Sequence, residues 1–326
     1  MISPVRALAG KNLKLFICKP EVVNKEGRER LSQRQWISSK VKISCWLGLL
    51  KERELHNNQE RNKKMNDASR GNWFAGQPLQ GQVAIVTGGG TGIGRGIAET
   101  FASAGAKVVV AGRREDKLAQ ACAAIKANGG EALGVRTDVT VQENIDHLIE
   151  QTCKAFGTID ILVNNSGMSL PRCNTLEVTR DDWEKLFALN MTSAFFVAQA
   201  AARVMAKKGG GKIVNMTSQR GISALPGIVP YCTAKGALMA MTRALAIDLA
   251  PDNINVNAVA PGYVQTDMVA GLLADPERLK SVIDRTPLRK MGTVDEMAAA
   301  VLYLVIPQSS YTTGQTMILD GGWSCQ

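Results

Sequence analysis

Histidine is almost missing from this chain of 326 residues: only His56 and His147 occur. That scarcity argues against a histidine-based catalytic triad and against a histidine-rich metal site, so no metal is expected. Cysteine is present seven times, an odd number, and no two cysteines form a C-x-x-C pair. The pattern reads as reduced thiols of an intracellular, cytoplasmic protein and not as a disulfide framework. Long apolar runs are missing too; none approaches the roughly 18 residues of a membrane span, and no membrane partner is expected. The formal net charge of +10 is unevenly distributed. Residues 1–64 hold 15 Lys/Arg against 6 Asp/Glu, whereas the other 262 residues hold 24 against 23. The globular part is nearly neutral, so it lacks the basic excess that nucleic-acid binding needs.

The basic segment shows no sustained period of 3.6 or 2. Its first twenty residues carry Arg6, Lys11, Lys14 and Lys19 and no acid. Such a start is similar to a mitochondrial presequence, but Arg and Ser are sparse and Glu21, Glu26 and Glu29 follow closely. A disordered tail, or a stretch upstream of a start at Met65, is the alternative reading. We therefore expect a basic, disordered extension over residues 1–78 and one domain over residues 79–326. A hydrophobic content of 45% is enough for a well-buried core in that domain.

Within the domain, apolar β-branched runs alternate with helical patterns. Strands are expected at 83–87, 107–111, 132–137, 159–164, 212–217, 254–258 and 316–319. Helices are expected at 93–104, 115–128, 141–156, 230–249, 276–283 and 294–305, with one long helical stretch over 180–207. Continuous apolar strands separated by helices predict a parallel sheet covered on both faces. Right-handed crossovers then give an α/β, doubly wound Rossmann sheet of about seven strands.

Gly88, Gly92 and Gly94 follow the first strand directly and open a helix. Glycine permits the tight turn and lets backbone N–H groups approach a pyrophosphate, while the helix N-terminus adds partial positive charge. This setting predicts dinucleotide binding. The second strand ends Ala111-Gly112-Arg113-Arg114, with no carboxylate to accept from an adenosine ribose. Arg113 offers a fork for a 2′-phosphate, favouring NADP(H) over NAD(H), unless it is a solvated surface arginine. Asp138 and Val139, after the third strand, border the adenine, or Asp138 caps the following helix.

Tyr231 and Lys235 stand four apart on an expected helix and so share a face. A neighbouring ammonium favours the phenolate, so Tyr231 is predicted to titrate well below its ordinary value of about 10 and to serve as an acid or base near neutrality. Ser218 ends the fifth strand, where a hydroxyl faces the ligand crevice and donates to a substrate oxygen, or else caps the next turn. Asn190 is a polar residue in an apolar helical stretch. It either bonds backbone and holds a water beside Lys235, or is a satisfied structural asparagine.

Taken in order, T-G-x-x-x-G-x-G at Thr87–Gly94, Asn164-Asn165-Ser166-Gly167, Asn190, Ser218, Y-x-x-x-K at Tyr231–Lys235 and Pro261-Gly262 resemble the short-chain dehydrogenase/reductase family. The resemblance runs from about Leu79 to the C-terminus. It implies a Rossmann fold, a nicotinamide cofactor and a homotetramer. It also implies Tyr231 as acid/base, Lys235 on the nicotinamide ribose, Ser218 on the substrate oxygen and Asn190 in a proton relay. Ile93, Asn165 and Gly167 would line the cofactor path; Pro261, Gly262, Val264 and Thr266 would surround the nicotinamide. Ser166 departs from the family's usual alanine, and Thr91 stands where NADP-preferring relatives often carry a basic residue. The general likeness is to 3-oxoacyl-carrier-protein reductases and to sugar or polyol dehydrogenases. Bacterial reductases of the former kind dock an acidic carrier protein with two arginines. Gly209 and Asp252 stand at those places here, with Lys207 and Lys208 nearby. A small ketone, sugar or polyol is therefore expected ahead of a carrier-bound acyl chain, and a non-catalytic cofactor-binding scaffold is the reading from a different class. An apolar lid is expected from Met268, Leu272, Leu273 and Leu279, unless these residues pack onto the core.

Overall fold

The computed structural model describes residues 76–326. The expected extension lies outside the described residues up to residue 75. Seven strands form one sheet: β1 (Val83–Thr87), β2 (Lys107–Gly112), β3 (Glu131–Arg136), β4 (Ile161–Asn164), β5 (Gly211–Met216), β6 (Ile254–Pro261) and β7 (Thr316–Leu319). Their order is β3-β2-β1-β4-β5-β6-β7, and every pairing is parallel. The order reverses between β1 and β4, the switch point at which such sheets open a crevice.

The strands alternate sides as a period of two demands. Ala84 and Val86 of β1 and Val108 and Val110 of β2 pack into one core layer; Ile85, Val109 and Ala111 pack into the other. The first layer is closed by α1 (Gly92–Ser103), α2 (Glu115–Ala127) and α9 (Val294–Val305), through Ile97, Phe101, Leu118, Ile125, Val301 and Leu304. The second is closed by α3 (Gln142–Phe156), α5 (Ser193–Lys208) and α6 (Val229–Asp248), through Leu148, Val197, Ala201 and Leu245. Ile85 and Leu148 are 0% exposed, and each such side chain contributes about 1.5–3 kcal/mol of burial.

The expected long helix does not run unbroken. Helix α4 (Arg180–Phe187) gives way to a π-helical turn at Ala188–Thr192 before α5 begins. The Ser193 N–H donates to the Ala188 carbonyl, five residues back, and Ser193 Oγ donates to the Leu189 carbonyl at 2.7 Å. The wider turn carries Asn190, 1% exposed, into the interior. Two short helices follow β6, α7 (Ala270–Leu273) and α8 (Pro276–Arg285). Leu272 packs with Val282 and Trp323 in a small separate cluster, so it belongs to a core rather than a lid, whereas Met268 is 62% exposed. Among the described residues no helix is long and apolar enough to cross a membrane.

Candidate active site

A cleft of about 530 Å³ opens at the carboxyl ends of β1–β4. Gly88, Gly92, Ile93, Arg113, Asp138, Val139, Asn165, Gly167 and Thr266 all line it. Gly92 sits at φ +54°, a conformation that side chains rarely adopt, and faces Thr266. Gly94 does not line the cleft. A Cβ there would lie 2.3 Å from the Gly88 carbonyl and 2.4 Å from Asn165 Nδ2, so its bareness lets α1 close against the turn. Thr87 fastens the opposite wall: its Oγ1 accepts from the N–H groups of Asn165 at 3.0 Å and Ser166 at 3.1 Å. Asn165 in turn donates to the Thr87 carbonyl at 3.0 Å. The result is a bare, backbone-lined cradle at a helix N-terminus, which fits a dinucleotide pyrophosphate.

The far end of the cleft is cationic. Arg114 and Lys117 join Arg113 on its wall, and Arg114 Nη2 donates to Thr91 Oγ1 at 3.2 Å. The first of these additions was foreshadowed by the Arg113-Arg114 pair, and Lys117 lies one helical turn further on. Asp138 does not cap α3, whose N-cap is Val141. Its carboxylate accepts from Thr140 N at 3.0 Å and Thr140 Oγ1 at 2.7 Å, closing a local turn. The Thr140 hydroxyl is also the main reason the Asp138 carboxyl titrates below its usual range.

Asn190, Ser218, Tyr231 and Lys235 converge at the inner end. A Cβ built on Gly167 would sit 3.1 Å from Asn190 Oδ1 and 3.6 Å from Lys235 Nζ, so the cleft floor abuts this cluster directly. Lys235 is 5% exposed; its Nζ donates to the Met216 carbonyl at 2.8 Å and lies 5.9 Å from the Tyr231 ring centre. Thr217 Oγ1 pins the same helix by donating to the Lys235 carbonyl at 2.9 Å. Ser218 Oγ accepts from Arg220 N–H at 3.2 Å, so it does cap the turn, yet its own proton stays available. Asn190 bonds backbone through the amide groups of Met168, which fits both a water-holding role and a satisfied structural asparagine. Tyr231 also borders a second, largely apolar pocket of about 240 Å³ that includes Leu170, Pro171, Val178 and Ile228.

The direction of the Tyr231 titration overturns the expectation. The residue keeps an exposed edge, but protein surrounds its hydroxyl, and burial pushes the phenol above 10. The Ser218 hydroxyl and the Arg220 charge oppose that rise without cancelling it. Burial acts on the lysine as well and brings Lys235 down to about 8. Both groups resist charging in a dry site.

Pro261, Gly262 and Val264 do not line the cleft. Pro261 pairs with Leu319, Gly262 N–H donates to the Leu319 carbonyl at 2.8 Å, and Val264 is buried and bridged to Gly292. Arg220 went unnoticed in the sequence. So did the buried chain in which Asn164 Nδ2 donates to Asn215 Oδ1 at 3.0 Å and Asn215 Nδ2 donates to Thr242 Oγ1 at 3.0 Å.

Residues 88–324 match the family model described as enoyl-(acyl carrier protein) reductase. A gluconate 5-dehydrogenase of Gluconobacter oxydans is 38% identical over 244 residues, spanning 75% of this chain and 95% of the relative. A 3-oxoacyl-[acyl-carrier-protein] reductase of Synechocystis is 38% identical, spanning 75% of this chain and 97% of the relative. The crystal structure of a Burkholderia cenocepacia gluconate 5-dehydrogenase in complex with NADP and tartrate superimposes with a TM-score of 0.73 at 36% identity, covering 76% of this chain and 97% of that one. On these likenesses and on the fold, the chain belongs to the short-chain dehydrogenase/reductase family of NAD(P)-dependent oxidoreductases.

Proposed function

We propose that the protein is an NADP(H)-dependent oxidoreductase that interconverts the carbonyl and secondary alcohol of a small ketone, sugar or polyol. The observation that carries this reading is the junction at Gly167, where a dinucleotide-shaped cleft abuts Asn190 and Lys235. When bound, the nicotinamide supplies or accepts the hydride. The chain's own residues handle the oxygen and its proton. Tyr231 is protonated at neutral pH and gives its proton to the substrate oxygen; burial makes the phenol a weaker acid, and Ser218 and Arg220 oppose that effect. Ser218 accepts from Arg220 N–H and has its own O–H to donate to the same oxygen. Lys235 would hold the nicotinamide ribose, and Asn190 would support the relay behind it.

The NADP preference rests on Arg113, Arg114 and Lys117 along the cleft wall and on the lack of a carboxylate at Gly112. The NADP named with the Burkholderia relative supports it. A 3-oxoacyl-carrier-protein reductase is the second reading, favoured by the Synechocystis relative. Against it, Lys208 is engaged with Asp160, and Asp252 is exposed at a place where an acidic partner would meet an arginine in the reductases. A homotetramer is in keeping with the exposed apolar side chains of Phe196, Val229 and Ile247 on α5 and α6, and sedimentation of the full chain tests it. We further propose that residues 79–326 form the NAD(P)-binding catalytic domain of a cytoplasmic enzyme.

The deciding experiment is NADPH oxidation over a ketone and sugar panel with the wild type and Tyr231→Phe. The variant should lose roughly 10²–10⁴-fold in kcat while keeping its NADPH affinity. Equal rates in both proteins would remove the enzymatic reading and leave a cofactor-binding scaffold.

A further inference from the structure

Arg220 lies two residues beyond Ser218, in the short turn Gln219–Gly221. It is 7% exposed, and among the described residues its guanidinium enters no ion pair. Its polar partners are neutral hydroxyls. Nη1 donates to Ser223 Oγ at 3.3 Å and Nη2 to Tyr263 Oη at 3.2 Å. Two aromatic rings pack against it, with centres 5.3 Å (Tyr263) and 5.0 Å (Trp323) from the guanidinium carbon. A second arginine, Arg285, lies 4.6 Å from the same Trp323 ring, which adds positive charge and no compensation.

Burying a cation without a counter-charge is costly, and cation–π contacts offset only part of that cost. Two of the five guanidinium N–H groups are used, leaving three without a partner among the described residues. The location gives the unfilled fork a purpose. The backbone N–H of Arg220 is bonded to Ser218 Oγ, and the Arg220 charge opposes the rise that burial imposes on the Tyr231 phenol. Tyr263, on which it stacks, directly follows Gly262 at the end of β6. A planar, unpaired, mostly dry guanidinium beside the residues that hold the reacting oxygen is suited to a carboxylate, which it can meet with two parallel hydrogen bonds.

We propose that Arg220 is the counter-ion for a carboxylate carried by the substrate, so that this enzyme acts on keto acids and hydroxy acids in preference to neutral ketones and polyols. The inference rests on Tyr231 and Ser218 being the reacting site. The carboxylate makes and breaks no bond; Arg220 holds it while the carbonyl oxygen lies between Ser218 and Tyr231. The competing role is purely structural, a tie between the Ser218 turn and Trp323.

The test uses the full chain loaded with NADP+. Short hydroxy acids are titrated calorimetrically, each beside the alcohol in which CH2OH replaces the carboxylate, and initial rates are measured on the same pairs. At least one acid should bind the wild type roughly tenfold or more tightly than its alcohol, the scale of one charged hydrogen-bonded pair. Arg220→Met should bring that preference to within about twofold while leaving the alcohol's affinity unchanged. Arg220→Lys, which keeps the charge without the fork, should retain part of it, and it serves as the test if the methionine variant does not fold. Two results overturn the proposal: no acid preferred by the wild type, or acid and alcohol weakened alike by either substitution. Failure of the reaction assignment looks different. Acids would still bind through Arg220, but no pair would be turned over and Tyr231→Phe would change no rate.

Discussion

Asn190 closes a two-bond ring on the backbone of Met168: Nδ2 donates to the Met168 carbonyl at 2.7 Å and Oδ1 accepts from the Met168 N–H at 2.7 Å. The ring ties the loop after β4 to the π-helical turn, and so holds Gly167 against Lys235. Asn190→Ala leaves two backbone groups unpaired in a nearly buried place. We expect a loss of about 2–4 kcal/mol in urea unfolding, together with a fall in kcat. Asn190→Asp keeps the acceptor and loses the donor, so it should fall between. A change under about 0.5 kcal/mol for the alanine variant would mean that water replaces the side chain.

Lys235 makes apo-protein stability depend on pH. Its folded value of about 8 lies below the 10.5 of an unhindered lysine. Below pH 8 both folded and unfolded chains hold the proton, and the fold bears the cost of a buried charge. Between pH 8 and 10.5 the fold releases its proton while the unfolded chain keeps it, so stability rises with pH across that window, by up to about 3 kcal/mol. Lys235→Met lacks this component. Lys212, also held at about 8 by burial, contributes equally to both proteins and cancels in the comparison. Urea midpoints at pH 7.5 and 10 check the slope; parallel changes in both proteins would contradict the assignment.

Cofactor choice should follow the cationic wall. Arg113→Ala is expected to raise the Kd for NADP+ by roughly 10–100-fold, the range for one or two charge-assisted contacts, and to leave NAD+ within a few-fold. Arg114→Ala should do the same more weakly, because its guanidinium already donates to Thr91. Fluorescence titration with both dinucleotides measures this. A matching loss for NAD+ would place Arg113 away from the 2′-phosphate.

Gly94 tests the turn rather than the ligand. Its would-be Cβ meets the Gly88 carbonyl and Asn165 at less than van der Waals distance, and backbone cannot step aside as a flexible side chain does. Gly94→Ala should cost more than about 3 kcal/mol or prevent folding, as overpacking at a rigid contact does. Alanine at Gly129, where nothing lies within 4 Å but φ is +81°, should cost only the smaller backbone strain, of about 1–2 kcal/mol. Thermal melts of the two variants rank them.

Much of the site was legible because local chemistry constrains it. Gly88 and Gly92 must turn the chain tightly at φ values of +64° and +54°, and glycine is the residue that does so freely. Tyr231 and Lys235 share a helical face at any spacing of four. Arg113 ends a strand whose carboxyl edge opens on the crevice. The apolar continuity of β1 and β2 required cover on both faces, and both core layers are there.

The rest depended on groups far apart in the chain. Nothing within α4 and α5 announces a π-turn; its purpose is Met168, 22 residues away from Asn190. The sign of the Tyr231 shift was misjudged because a pairwise rule counts the nearby ammonium but not the water removed from both groups. Arg220 reads in the sequence as one more surface charge, and only the approach of Tyr263 and Trp323 reveals it as a buried cation. The order of residues thus determined the parallel sheet, the bare turn and the shared face of tyrosine and lysine, since each follows from steric periodicity over a few positions. The tertiary structure alone decided how dry those groups are and which partners satisfy them, because desolvation is a property of everything that closes around an atom.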